Sequence, residues 1–158
     1  MQRKKIFPLS ELLKKLEKKR RQHKTIATLN GSFDLLHAGH LFIINEAAGQ
    51  ADILVVALNS DASIRAYKSP SRPIIPLEYR LKMMAALEAV DFVTWFNETD
   101  PILLLEQIRP DVHVNGSEYG AECIEAGVVR EHGGRLHIVK KVEGLSTSAI
   151  IEKIKLCE

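Results

Sequence analysis

The chain has 158 residues, 46% of them apolar and 27% charged, with a formal net charge of +2. That profile fits one soluble globular domain with its own core, and it excludes a disordered chain and a membrane-spanning helix. Cys123 and Cys157 have no metal or redox spacing and form no disulfide framework. Charge is unevenly spread: residues 1–24 hold ten Lys/Arg against two acids, residues 25–158 twelve against eighteen. Leu9, Leu12, Leu13 and Leu16 share one helical face in the basic block, with Ser10 as N-cap. Residues 1–24 therefore read as a basic amphipathic helix docked by its leucines, followed by one domain at residues 25–158. No nucleic-acid or membrane partner is expected. Met1 to Lys5 is basic but lacks the apolar stretch of a secretory signal, so the expected location is the cytoplasm.

Residues 25–29 read as a strand and residues 41–48 as a helix. Residues 53–58 are a continuous apolar run, as a buried parallel strand should be, and end in the polar Asn59-Ser60-Asp61. A loop rich in Pro, Ser and basic residues follows at 68–73, then a helix at 77–90 and a third strand at 92–96. A short helix at 101–108 carries proline in its first turn. The fourth strand is at 112–114, a helix at 121–131 stops at Gly133-Gly134, and the fifth strand is at 136–139. A last helix starts at Ser146-Thr147-Ser148. Five alternations of strand and helix predict an α/β fold, a Rossmann-like doubly wound parallel five-stranded sheet with helices on both faces.

Between the first strand and its helix stands Gly31-Ser32-Phe33-Asp34-Leu35-Leu36-His37-Ala38-Gly39-His40. A strand, a glycine-bearing turn and a helix N-terminus grip phosphate oxygens, because free N–H groups and the positive end of the helix dipole face the anion. His37 and His40 add imidazole donors three residues apart, and Gly39 leaves room for a phosphate against the backbone. A structural zinc site would need more ligands, and His113, His132 and His137 lie singly. Asp34 either orients a histidine or caps the turn.

The pattern Gly31, Phe33, Asp34, His37, Gly39, His40 resembles that of the HxGH nucleotidyltransferases, in particular their cytidylyltransferase-like branch. Glu143-Gly144-Leu145-Ser146-Thr147-Ser148 resembles a second element of that branch. Asn30 to His40, residues 57–63, Ser71-Arg72-Pro73 with Pro76 to Arg80, and residues 87–91 are similar to the adenylyltransferase part of ADP-heptose synthase. The resemblance implies an enzyme joining ATP and D-glycero-β-D-manno-heptose 1-phosphate, with Mg²⁺ held mainly by the nucleotide phosphates. It also implies a homodimer with residues 87–95 near the interface, working after a separate sugar kinase. The alternatives are a glycerol-3-phosphate cytidylyltransferase using CTP and a non-catalytic nucleotide-binding module.

Nucleotidyl transfer requires two polyanions held in line and neutralisation of charge on the leaving oxygens. The catalytic residues expected are His37, His40 and Lys68. Gly31, Ser32, Phe33 and Gly39 are expected to bind phosphate through the backbone, together with Arg80, Lys141, Ser146, Thr147 and Ser148. Asn59, Asp61, Arg72 and Asn115 are expected at the acceptor. Asn115 stands where the heptose family usually has lysine.

Overall fold

In the computed structural model, which describes residues 4–157, the first two apolar runs form adjacent parallel strands, β1 (Ile26–Gly31) and β2 (Ile53–Asn59). With β3 (Phe92–Phe96), β4 (Val112–Gly116) and β5 (Arg135–Val139) they make a five-stranded, all-parallel sheet in the order β3-β2-β1-β4-β5. The order reverses direction beside β1, so the crevice for a ligand opens where β1 and β4 end.

Every residue of β2 is buried, and the strand's alternation feeds two cores. Leu54, Val56 and Leu58 pack with Ile44 and Ala47 of α2 (Ala38–Ala48) and Met84 of α4 (Leu77–Ala85). Ile53, Val55 and Ala57 pack with Leu12 and Leu16 of α1 (Leu9–Arg21) and Leu104 and Ile108 of α5 (Ile102–Ile108). Leu12 and Leu16 are almost wholly buried, each burial contributing about 1.5–3 kcal/mol, while Lys14, Lys15 and Lys18 face water.

Four local expectations are corrected. Pro8, not Ser10, occupies the N-cap of α1. The preceding residues bridge to the edge strand β3, with Phe7 N–H donating to the Val93 carbonyl (3.0 Å) and Val93 N–H to that of Lys5 (2.9 Å), so the helix starts at once. This bridge also covers a sheet edge. Residues 61–67, not expected to be regular, form α3 (Asp61–Tyr67), whose N-cap Ser60 accepts from Ser63 N–H at 3.1 Å. Helix α4 stops at Ala85, short of Val90, because the chain must turn into β3. There Asp91 N–H bonds the Leu54 carbonyl (3.1 Å) and the Asp91 carboxylate accepts from Leu54 N–H (2.9 Å). Helix α6 covers only Ala126–Glu131, residues 117–125 being turns and loop. Helix α7 (Thr147–Lys155) closes the fold.

The apolar stretch expected near a dimer interface goes largely into the chain's own core, with Val90, Phe92 and Val93 buried. No helix among the described residues is long and apolar enough to cross a membrane.

His113 of β4 lies opposite Thr28 of β1, and its Nδ1 is 2.7 Å from the Thr28 hydroxyl; its Nε2 is buried without a partner among the described residues. Burial lowers its pKa to about 4, outweighing the attraction of Glu125. The unfolded chain therefore binds this proton near pH 6.5 and the folded one only near pH 4. The stability due to neutral His113 is full above pH 6.5 and falls as pH drops toward 4. Urea unfolding is expected to show a loss of about 2 kcal/mol from pH 7 to pH 5 through this residue. A His113→Leu variant is expected to lose this share of the slope and keep the share due to His37 and His40, and an equal slope in both proteins would refute the assignment.

Candidate active site

The C-terminal ends of β1 and β4, the loop after α3 and the start of α7 enclose a cavity of about 570 Å³. Its floor is the turn between β1 and α2. Phe33 (φ 47°) and Leu35 (φ 50°) both adopt the left-handed conformation there, which is costly for side chains of this size. The Phe33 ring lies against Gly31 and tilts on His40, with centroids 5.4 Å apart. A Cβ on Gly39 would meet His37 Cε1 at 2.9 Å and Leu145 Cβ at 3.2 Å, so glycine is required where the second motif closes over the first.

The two histidines stack at 3.8 Å with 24° between their planes. His37 is the N-cap of α2, its Nδ1 accepting from Gly39 N–H at 3.1 Å. His40 Nδ1 accepts from His37 N–H at 3.3 Å. Because both Nδ1 atoms act as acceptors, each neutral ring carries its proton on Nε2. The capping box that starts the helix thus sets two Nε2–H donors. Burial lowers both pKa values, that of His40 to about 4, with His37 and Lys68 adding to the shift and Asp34 opposing it. At neutral pH both rings donate without carrying charge.

The cavity's charge comes from Lys68, Arg72, Lys140 and Lys141, against one carboxylate in its wall, Glu118. Lys68 Nζ donates to Ser32 Oγ at 2.9 Å, which brings it across the turn from the histidines. Arg72 Nη1 lies 3.9 Å from Asp34.

Arg80, Asn59 and Asp61 do not reach the cavity, and their expected ligand roles give way to internal ones. Arg80 is 2% exposed. Its Nε donates to the Ile75 carbonyl (2.8 Å), Nη1 to those of Ser32 (2.8 Å) and Asn59 (2.9 Å), and Nη2 to the Asp61 carboxylate (2.6 Å). Asp61 also accepts from Leu77 N–H at 2.9 Å, and the Asn59 amide donates to Ser63 Oγ at 3.0 Å. These groups tie the ends of β1 and β2 to α3 and α4. Asp34 caps loop backbone, accepting from Ile74 N–H (2.7 Å) and Ile75 N–H (2.9 Å).

Ser146, Thr147, Ser148 and Lys141 reach the cavity from the far end of the chain. Ser146 caps α7, accepting from Ala149 N–H at 3.1 Å, and keeps its hydroxyl proton to donate. The Thr147 hydroxyl donates to the Asp34 carbonyl at 2.8 Å and docks α7 on the turn between β1 and α2. Asn115 stands at the end of β4, beside Gly116, Glu118 and Tyr119. Sequence reasoning missed Tyr67, Glu118 and Tyr119. The polar Ser117-Glu118-Tyr119 directly after a strand was the available signal, whereas Tyr67 arrives through the unexpected helix α3. No group of three His, Cys, Asp or Glu side chains among the described residues is placed to hold a metal ion.

A parallel doubly wound sheet with paired neutral imidazole donors at a helix start and a cationic wall opposite is a nucleotidyltransferase framework. The cytidylyltransferase-like family model matches residues 28–153, and the chain belongs to that family. It is 44% identical over 151 residues to the bifunctional protein HldE of Azotobacter vinelandii, covering 95% of this chain and 32% of that protein. Against bifunctional protein HldE of Syntrophotalea carbinolica the identity is 44% over 140 residues, with coverages of 88% and 29%. The chain thus spans about a third of the length of these curated relatives. The crystal structure of a lipopolysaccharide core biosynthesis protein from Thermoplasma volcanium matches with a TM-score of 0.60 at 26% identity, covering 75% of this chain and 97% of that one. Pantothenate synthetase from Thermus thermophilus, at 14% identity and a TM-score of 0.66, covering 93% of this chain and 67% of that one, shares the fold.

Proposed function

We propose that the chain transfers an adenylyl group from ATP to a sugar 1-phosphate, D-glycero-β-D-manno-heptose 1-phosphate, giving ADP-heptose and pyrophosphate for lipopolysaccharide assembly. The observation that carries the reading is the pair of Nε2–H donors opposite Lys68, at the start of α2. Similarity to the HldE proteins over nearly the whole chain supports the choice of substrates.

An oxygen of the acceptor phosphate attacks the α-phosphorus, that new P–O bond forms as the bond to the bridging oxygen breaks, and pyrophosphate leaves. No protein nucleophile is needed. His37 and His40 donate to the phosphate oxygens as charge develops, and Lys68 and Arg72 balance the charge of two polyanions brought together. The start of α7, with Ser146 and Ser148, receives the terminal phosphates. Mg²⁺ fits this donor set only as an ion carried on the phosphates, since the wall offers cations and neutral donors and the single carboxylate of Glu118. When bound it would neutralise phosphate charge. A homodimer and a cytoplasmic location are part of the same proposal.

Purified protein offered ATP or CTP with Mg²⁺, crossed with heptose 1-phosphate or glycerol 3-phosphate, is expected to release pyrophosphate only from ATP with the sugar phosphate. Activity confined to CTP with glycerol 3-phosphate would replace this substrate assignment. Nucleotide binding without pyrophosphate from any pair would favour a non-catalytic module.

A further inference from the structure

Behind the β4 side of the cavity lies a buried polar cluster outside the mechanism described above. Glu125, just ahead of α6, is 6% exposed, and Asn115 is 5% exposed. Asn115 Nδ2 donates to Glu125 Oε2 at 3.3 Å and to Cys123 Sγ at 3.2 Å. A carboxylate can only accept here, so the amide nitrogen must face Glu125 and the amide oxygen must face away. Asn115 lines the cavity, and its Oδ1 is neither bonded within the described residues nor among the fully buried unpartnered atoms. It is an oriented neutral acceptor in a wall whose charged side chains, apart from Glu118, are cations.

We infer that Glu125 is a positioning residue that locks the Asn115 amide, so that Asn115 Oδ1 selects a substrate bearing an N–H or O–H donor at that point. The donor belongs either to an exocyclic amine of the nucleobase or to a hydroxyl of the acceptor. A free asparagine amide can turn over and offer its N–H₂ instead; a locked one cannot, which turns a neutral contact into discrimination. A substrate without a donor would seal this oxygen from water and leave it unpaired, which costs affinity. The inference rests on the nucleotidyltransferase reading.

The test is calorimetric binding of ATP, of purine riboside triphosphate (which lacks the 6-amine) and of heptose 1-phosphate, together with steady-state KM and kcat. Asn115→Leu is expected to weaken one of these substrates by roughly tenfold. Loss of ATP affinity alone, with purine riboside triphosphate unaffected, assigns the base amine; loss of heptose phosphate affinity alone assigns the acceptor hydroxyl. Glu125→Leu is expected to raise the same KM by a similar factor with kcat little changed, and the double variant to be no worse than either single one. Glu125→Gln has the same shape but can accept from or donate to the Asn115 amide, so it is expected to lose part of the lock, with a KM between those of wild type and Glu125→Leu, and it guards against a folding defect. Unchanged affinities in folded Asn115→Leu, or a Glu125→Leu effect additive with it, would overturn the inference. Wild-type protein that binds substrates but releases no pyrophosphate would sink the proposed activity alone, since the affinities still test Asn115 and Glu125. Wild-type protein that binds none of them would sink both.

Discussion

Replacing His40 with alanine is expected to lower turnover by about 10² or more, equivalent to roughly 2.7 kcal/mol of transition-state stabilisation. The ring's Nδ1 already serves the backbone of His37, so the one proton it has to offer is on Nε2. A donor aimed at phosphate oxygens acts most strongly as their charge grows, so the loss should fall on kcat more than on KM. His37→Ala is expected to behave alike, since its Nδ1 is held by Gly39 N–H. The pKa of His40 near 4 adds a second expectation: in the free enzyme no titration of this residue should bend the kcat/KM profile between pH 5.5 and 8. Each variant loses one capping bond of α2, about 1 kcal/mol, so the melting temperature should fall by only a few degrees. Near-normal pyrophosphate release by either purified variant would refute the role.

Arg80→Met is expected to destabilise the fold by about 3 kcal/mol, because it leaves three carbonyls and the partly exposed Asp61 carboxylate without their buried cation, which is roughly 10 °C in Tm for a domain of this size. The guanidinium holds three carbonyls and the Asp61 carboxylate from a fully buried position. Arg80→Lys should rescue little, because an ammonium cannot reproduce the planar fork. Were Arg80 a phosphate ligand, the variant would melt normally and show a raised KM for ATP. Thermal unfolding alongside ATP kinetics separates the two roles, and an unchanged Tm would refute the structural one.

Much of the sheet was legible because a strand buried on both faces must be apolar throughout, as residues 53–58 are, and such a run admits few alternatives. The turn between β1 and α2 was legible for a related reason. A glycine between two histidines at a strand-to-helix junction satisfies local demands of backbone space, helix capping and anion binding that act within ten residues. Helix α3 escaped notice because its seven residues carry no long amphipathic period, and only Ser60 marks its start.

What the amino-acid sequence determined by itself was therefore the local chemistry: the αβ alternation, the donor pair His37 and His40, and the serine cap of α7. Tertiary structure decided which charged and polar groups face the cavity. Arg80, Asn59 and Asp61 looked like ligands in the sequence, yet the ends of β1 and β2 leave carbonyls that must be paired once buried, and these side chains satisfy them or the helices beside them. Lys68 and Arg72 escape that demand because their loop runs over the surface of the cavity. Asn115 and Glu125, ten residues apart, meet only because the loop after β4 folds back on the strand's end, a contact that no local periodicity encodes.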